Sequence, residues 1–338
     1  MKKTAEAVSL GHPDKTSDYI SCYILDKIIQ QDENVKYALE VMVKDNTVVL
    51  GGEISTSANI DDINVWVKDA ICDIGYDEKY SDVWGDFAIN PNKLNIINLI
   101  GKQSEDINRG VKQNGWGDQG VFVGYACRGE QNINRELYLA RKLNSAIYNL
   151  ARSDINLGLG LDIKTQIVLS DDGDIETAIV AVPMLKDVFL HKFIVQTLGQ
   201  NVKNIIVNGT GAYTYHSSVA DCGITGRKLA CDFYSAASPI GGGSPWTKDA
   251  SKADLTLNMY ARKLANQYLE DNDECFVYLS ACIGQSDLPS ACVKTIKDGL
   301  TKTQNIIVNK KPFEIIEDLG LNKPVFTRLC RKSVGLAE

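Results

Sequence analysis

Three stretches of the chain share one pattern: YALEVMVKDNTVVLGGEIS (37–55), KTQIVLSDDGDIETAIVAV (164–182) and FVYLSACIGQSDLPSACVKT (276–295). Each alternates apolar and polar residues, breaks at polar turn residues and alternates again, which is the pattern of a half-buried β-hairpin. Amphipathic helical spacing precedes each hairpin, at about residues 15–31, 135–151 and 251–270, and follows most clearly at 61–74 and 185–199. The interval of a little over a hundred residues is too long for a solenoid. It fits three tandem α+β units, with chance likeness among common hairpins as the alternative.

The 338 residues allow two or three domains. Lys and Arg number 36 against 43 acids, a net charge of −7, which argues against general affinity for nucleic acid or anionic membrane. Any polyanionic ligand must therefore meet a local basic cluster. The longest apolar runs, such as IVAVPML, are far below bilayer length, and MKKTAEAV has no apolar segment behind its lysines, so a cytoplasmic protein is expected. Nine cysteines form no CxxC pair; a disulfide framework and a zinc site are both disfavoured, and small buried thiols are expected.

Two segments break the regularity. Residues 101–120, GKQSEDINRGVKQNGWGDQG, read as a long polar loop, either an active-site lid or a surface excursion. Residues 238–254, SPIGGGSPWTKDASKAD, combine three glycines, which let backbone approach a ligand, with two lysines and two aspartates.

GHPDK, residues 11–15, has a structural part: Pro13 suits the first turn of a helix, and Ile20, Ile24 and Ile28 then form one apolar stripe. Capping alone does not call for a histidine, a carboxylate and a lysine together beside the positive end of that helix. Helix N-termini attract phosphate, and His12 and Lys15 add possible charge-assisted hydrogen bonds. An acid at this place, Asp14, makes sense as a magnesium ligand. In DCGITGRKLACDFY (221–234), Arg227 and Lys228 follow a Gly-rich turn; the bland alternative is a solvated strand edge. Lys252 falls in the first turn of a helix beginning near Asp249, where a cation is unfavourable unless it faces an anion. His12, Lys15, Lys164, Arg227, Lys228, Lys248 and Lys252 all lie next to turns or strand ends, the kind of set that holds a triphosphate with Mg²⁺. No GxxxxGK[ST] loop, Rossmann glycine fingerprint or GxSxG elbow is present.

These residues carry a family likeness. GHPDK, GGEIST, GKQSEDIN, GDQG, DCGITGRK and GGGSPWTKDASKAD resemble, in order and spacing, the S-adenosylmethionine synthases (methionine adenosyltransferases), over about Glu6 to Gly284. The resemblance implies an α+β fold of three similar domains about a pseudo-threefold axis, here 1–110, 111–220 and 221–338, interleaved in space. It implies a homodimer or dimer of dimers with active sites between subunits. The implied reaction is attack of the methionine sulfur on the 5′ carbon of ATP, departure of the triphosphate, and its cleavage to phosphate and pyrophosphate.

By the same resemblance His12, with Lys15 alongside, acts on the departing oxygen, and Lys164, Arg227, Lys228 and Lys248 grip the polyphosphate. Asp14 and Asp254 hold two Mg²⁺ ions, and Glu40 binds K⁺. Glu53, Gln103, Asp221 and Lys252 surround methionine, with Asp118 near the sulfonium that forms. Asp162, Tyr213, Asp221 and Ser244 complete the ATP site, Tyr213 at the adenine-stacking position.

The chain departs from the family pattern at Ala212, at HSS (216–218), in SPIGGG and at its C-terminal end. Two other readings compete: a triphosphate hydrolase or other ATP-using transferase, and a non-catalytic oligomerisation or regulatory subunit. His191 and His216 have no ligand partner at suggestive spacing. Trp66 is expected in the core or an interface, and Trp116 and Trp246 in loops that line the site or sit exposed.

Overall fold

A computed structural model describes residues 3–101 and 115–334. Along the chain, β1 (Lys3–Val8) leads to helix α1 (Pro13–Ile29), the hairpin β2 (Lys36–Lys44) and β3 (Thr47–Ser55), and β4 (Asn95–Gly101). Next, β5 (Gly120–Cys127) leads to α2 (Arg135–Ser153), the hairpin β6 (Lys164–Leu169) and β7 (Ile175–Ala181), and β8 (Val202–Val207). Then β9 (Gly223–Ile224) leads to α3 (Ala253–Leu269), the hairpin β10 (Glu274–Ala281) and β11 (Ser290–Lys297), and β12 (Leu300–Asn305). The order strand, long helix, hairpin, strand thus occurs three times, and all three hairpin stretches form the antiparallel pairs that their alternation predicts.

Pairing between strands crosses these blocks. The three four-stranded sheets run β1-β6-β7-β8, β12-β11-β10-β5 and β4-β3-β2-β9. Each block places its leading strand in another block's sheet, the first in the second's, the second in the third's and the third in the first's. The fourth strands break the equivalence: β4 and β8 are parallel to their neighbours, β12 antiparallel. Folding therefore requires all three blocks together, since no sheet is complete within one of them.

Each long helix covers a sheet, α1 against β2, α2 against β1 and β6, α3 against β5 and β10. Helix α1 starts where Pro13 predicts and buries Ile20, Ile24 and Ile28 completely, as the stripe requires. It also buries Ser17, Asp18 and Ser21, because the helices Ile63–Ile74 and Phe326–Lys332 and strand β9 enclose its other sides. All nine cysteines are free thiols. Trp66 lies in the core, and so do Trp116 and Trp246, both fully buried, contrary to their expected place in open loops. No helix among the described residues is long and apolar enough to cross a membrane.

Candidate functional site

His12 caps α1. Its Nδ1 accepts the Asp14 N–H at 3.1 Å and its side chain is nearly inaccessible. A backbone amide can only donate, so Nδ1 carries no proton and the neutral ring bears its hydrogen on Nε2. Burial first, then the positive charges of Lys228 and Lys164, push the imidazole pKa down to about 3. His12 is therefore an uncharged donor at neutral pH.

Asp14 in the first turn accepts the Ile224 N–H on Oδ1 at 2.9 Å and the Lys228 ammonium on Oδ2 at 2.6 Å, with Arg227 Nε 3.7 Å from Oδ1. Burial opposes its ionisation, but Lys228 and the Ile224 N–H outweigh burial and hold the carboxyl below its usual range. Strand β9 brings these partners in by pairing with Met42 and Val43 of β2. The close approach needs glycine at position 223, where a Cβ would run into the Pro13 carbonyl.

Lys15 departs from its expected role. Its ammonium lies between Asp232 (2.8 Å) and Asp18 (3.1 Å), over the Trp246 ring, and the side chain is 3 % exposed. Trp246 Nε1 donates to the same Asp232 oxygen at 2.8 Å. This lysine is spent inside the protein, one helix step from residues that face the site.

Asp162 and Lys164 flank the start of β6. The Asp162 Oδ2 accepts the Ser217 N–H at 3.1 Å, while Oδ1 is buried without a partner. Burial, joined by the charge of Asp221 and resisted by Lys164, the Ser217 N–H and Lys228, raises its pKa to about 6. Burial first, then the charge of Asp162, push the Tyr213 hydroxyl pKa upward. His12, Asp14, Arg227 and Lys228 thus form one contacting group, and the charges of Lys164, Asp162 and Asp221 act on it or on one another.

A second group forms around α3. Residues 247–249 pair with the edge of β2, through Leu39 N–H to the Thr247 carbonyl (2.9 Å) and Asp249 N–H to the Tyr37 carbonyl (3.1 Å). This presents Lys248, whose ammonium bonds to Asp254 Oδ2, while Asp254 Oδ1 accepts the Gly243 N–H at 2.7 Å. Gly242, at φ +70°, passes so near Asp254 that a Cβ would stand 2.6 Å from Oδ1. Ser244 accepts the Trp246 N–H at 3.3 Å and lies against Gly226, so the two glycine-rich segments abut.

Between the two segments on the β2 edge lies Glu40, which receives a hydrogen bond from the Thr225 hydroxyl. Glu53 sits in the row Gly101, Glu53, Ala38, Lys248, two strand spacings from Lys248, about 10 Å. Lys252 caps α3 and is 9 % exposed. Asp118 is exposed ahead of β5 and accepts the Gln119 N–H at 2.7 Å, outside both groups. Gln103 and most of the 101–120 segment lie outside the described residues.

The family model described as S-adenosylmethionine synthetase, N-terminal domain, matches residues 1–105, and that for the C-terminal domain matches residues 216–334. An unusual S-adenosylmethionine synthetase from Campylobacter jejuni has a similar solved structure: 28 % identity, 98 % of this chain and 94 % of that chain covered, TM-score 0.87. The chain belongs to the S-adenosylmethionine synthetase family. It is a methionine adenosyltransferase of α+β fold that makes S-adenosylmethionine from methionine and ATP, as the motifs implied.

The motifs do not name every residue that shapes this S-adenosylmethionine synthetase site. Asp18 accepts the Gly226 N–H at 2.8 Å, fixing the turn before Arg227, and Thr225 links Glu40 to the β2 backbone. Asp18 carries a signal in the sequence: it lies four residues after Asp14, on the same side of a helix whose other spacing is apolar. Thr225 and Ser217 carry none, since their roles arise only when distant segments meet.

Proposed function

We propose that the two charged groups hold the triphosphate of ATP while the methionine sulfur attacks C5′. The S–C5′ bond forms, the C5′–O bond breaks, and the triphosphate leaves with the bonding electrons, so no enzyme nucleophile is needed. The observation that carries this reading is the hydrogen bond at His12: Nδ1 accepts a backbone N–H, which leaves Nε2–H as a fixed donor for the departing oxygen. Arg227, Lys228 and Lys248 stand where anionic oxygens would replace aspartate as their partners, and Lys164 would add a further cation. Asp162 Oδ1, buried and unpartnered, is an acceptor for a ribose hydroxyl, with Tyr213 against adenine. Water then splits the triphosphate into phosphate and pyrophosphate.

The donor set fits magnesium. Asp14 and Asp254 are single carboxylates, and the described residues contain no group of three or more metal-binding side chains. Mg²⁺ takes one or two carboxylates and completes its shell with phosphate oxygens and water. Two ions, one at each aspartate, would neutralise charge on the leaving group. Glu40 would hold K⁺, Glu53, Asp221, Lys252 and Gln103 would bind methionine, and Asp118 would favour the sulfonium that forms.

The outer face of sheet β4-β3-β2-β9, which carries Glu40 and Glu53, also exposes Met42, Ile97, Leu99 and Ile224. Apolar side chains around charged site residues support a second copy of the chain covering this face, a homodimer with shared active sites and, by resemblance, a dimer of dimers. A cytoplasmic location accords with ATP and methionine as substrates. Purified protein given ATP, Mg²⁺ and K⁺ should release S-adenosylmethionine, phosphate and pyrophosphate only when methionine is added. Phosphate release from ATP without methionine at the same rate would defeat this order of events.

A further inference from the structure

His216 is 1 % exposed and uses both ring nitrogens: Nδ1 lies 2.7 Å from the Thr214 carbonyl and Nε2 lies 2.6 Å from the Tyr80 hydroxyl. A carbonyl only accepts, so Nδ1 carries the hydrogen. Burial lowers the imidazole pKa to about 4, although the Thr214 carbonyl pulls the other way. The ring is therefore neutral and Nε2 accepts the Tyr80 O–H. The Tyr80 oxygen in turn accepts the Leu161 N–H at 3.2 Å. The result is a one-directional chain: Leu161 N–H to Tyr80, Tyr80 O–H to His216, His216 N–H to Thr214.

The ends of this chain are the neighbours of two site residues. Leu161 precedes Asp162 and Thr214 follows Tyr213. A second link runs parallel to it: Ser217, held at φ +54°, donates its N–H to Asp162 and accepts the Ile89 N–H on Oγ at 2.9 Å. The imidazole is locked edge-on to Trp84, centroids 4.7 Å apart, and Tyr80 is edge-on to Tyr76, whose hydroxyl bonds to the Gly11 carbonyl at 2.7 Å. None of these aromatic groups titrates or faces solvent at neutral pH, so the cluster is a rigid spacer between the two walls.

We infer that His216, through Tyr80, is a positioning residue that sets the separation of Asp162 and Tyr213 and thereby governs affinity for the nucleoside half of ATP. This deepens the reading that Asp162 and Tyr213 receive the nucleoside, and rests on it. The cluster acts on that end alone. Tripolyphosphate, which has no nucleoside, does not sense it.

The test compares steady-state kinetics of wild type, His216→Ala, Tyr80→Phe, the double variant and Asp162→Asn. His216→Ala should raise the KM for ATP about tenfold, as expected for loss of one well-placed buried contact set. The KM for methionine and the KM for tripolyphosphate hydrolysis should stay within a factor of about two. The double variant should be no worse for ATP than the worse single variant, because both cut one chain. Equal loss on ATP and tripolyphosphate, or a lower melting temperature with unchanged ATP KM, would assign His216 to stability alone and overturn the inference. Asp162→Asn separates the two levels. If it leaves the ATP KM unchanged, the nucleoside reading itself fails; if it raises that KM while His216→Ala does not, only the positioning role fails.

Discussion

Two lysine–aspartate pairs meet at adjacent residues of α1, in different surroundings. Lys228 bonds to Asp14 at 2.6 Å and Lys15 to Asp232 at 2.8 Å. By distance and charge they are alike. They differ in access: Lys228 is 20 % exposed with Arg227 half-exposed beside it, whereas Lys15 is 3 % exposed and covered by Trp246. A partly exposed pair can exchange its carboxylate for a phosphate oxygen because water or substrate reaches it. The nearly inaccessible pair has charges that are tolerated because each satisfies the other. Exposure of the lysine therefore separates the pair proposed to bind substrate from the pair that holds the fold.

Substitutions on each side of this division test it. The largest effect expected is on stability: Lys15→Met leaves Asp18 and Asp232 buried without their cation and should cost about 3–5 kcal/mol in denaturant unfolding. Near-normal stability with lost activity would move Lys15 into the binding class. Next, Lys248→Met should lower kcat about 10²–10³-fold with an unchanged melting temperature, since the lysine is partly exposed and is proposed to act on leaving-group charge; a parallel loss of melting temperature would mark it as a holding residue.

A third test is pH. The Asp162 carboxyl, raised to about 6 by burial, binds its proton more tightly in the folded than in the unfolded chain. Its contribution to stability therefore falls as pH rises from about 4 to about 6, and urea unfolding of Asp162→Asn should lack that slope. His12, lowered to about 3, should give no limb near 6.5 in the pH profile of kcat/KM, and an imidazole-like limb there that vanishes in His12→Gln would contradict its neutral state. The smallest effect is expected at Glu40→Gln, a few-fold loss of potassium activation without change in the KM for ATP.

Much of this was legible in the chain. Pro13 marked the start of α1, the isoleucine spacing marked its buried stripe, and the period-two alternation marked three hairpins. Asp14, Arg227, Lys228, Lys248 and Asp254 stand out in the chain as charges beside turns, and their proposed roles come from the family resemblance. The enclosure of Lys15 was not legible for a definable reason: helical periodicity states which residues share a side of α1, but α1 is enclosed on nearly all sides, so no side reads as the wet one. Trp246 was misplaced likewise, since a loop sequence does not show that the loop folds over a buried lysine.

Local chemistry in the sequence settled helix starts, strand alternation and the inventory of charged groups, because these depend on neighbours within a few residues. Tertiary structure alone decided the exchange of β1, β5 and β9 among sheets, the sorting of lysines into open and enclosed, and the Tyr80–His216 link. Those depend on contacts between residues more than a hundred positions apart, and on where water is excluded once they meet.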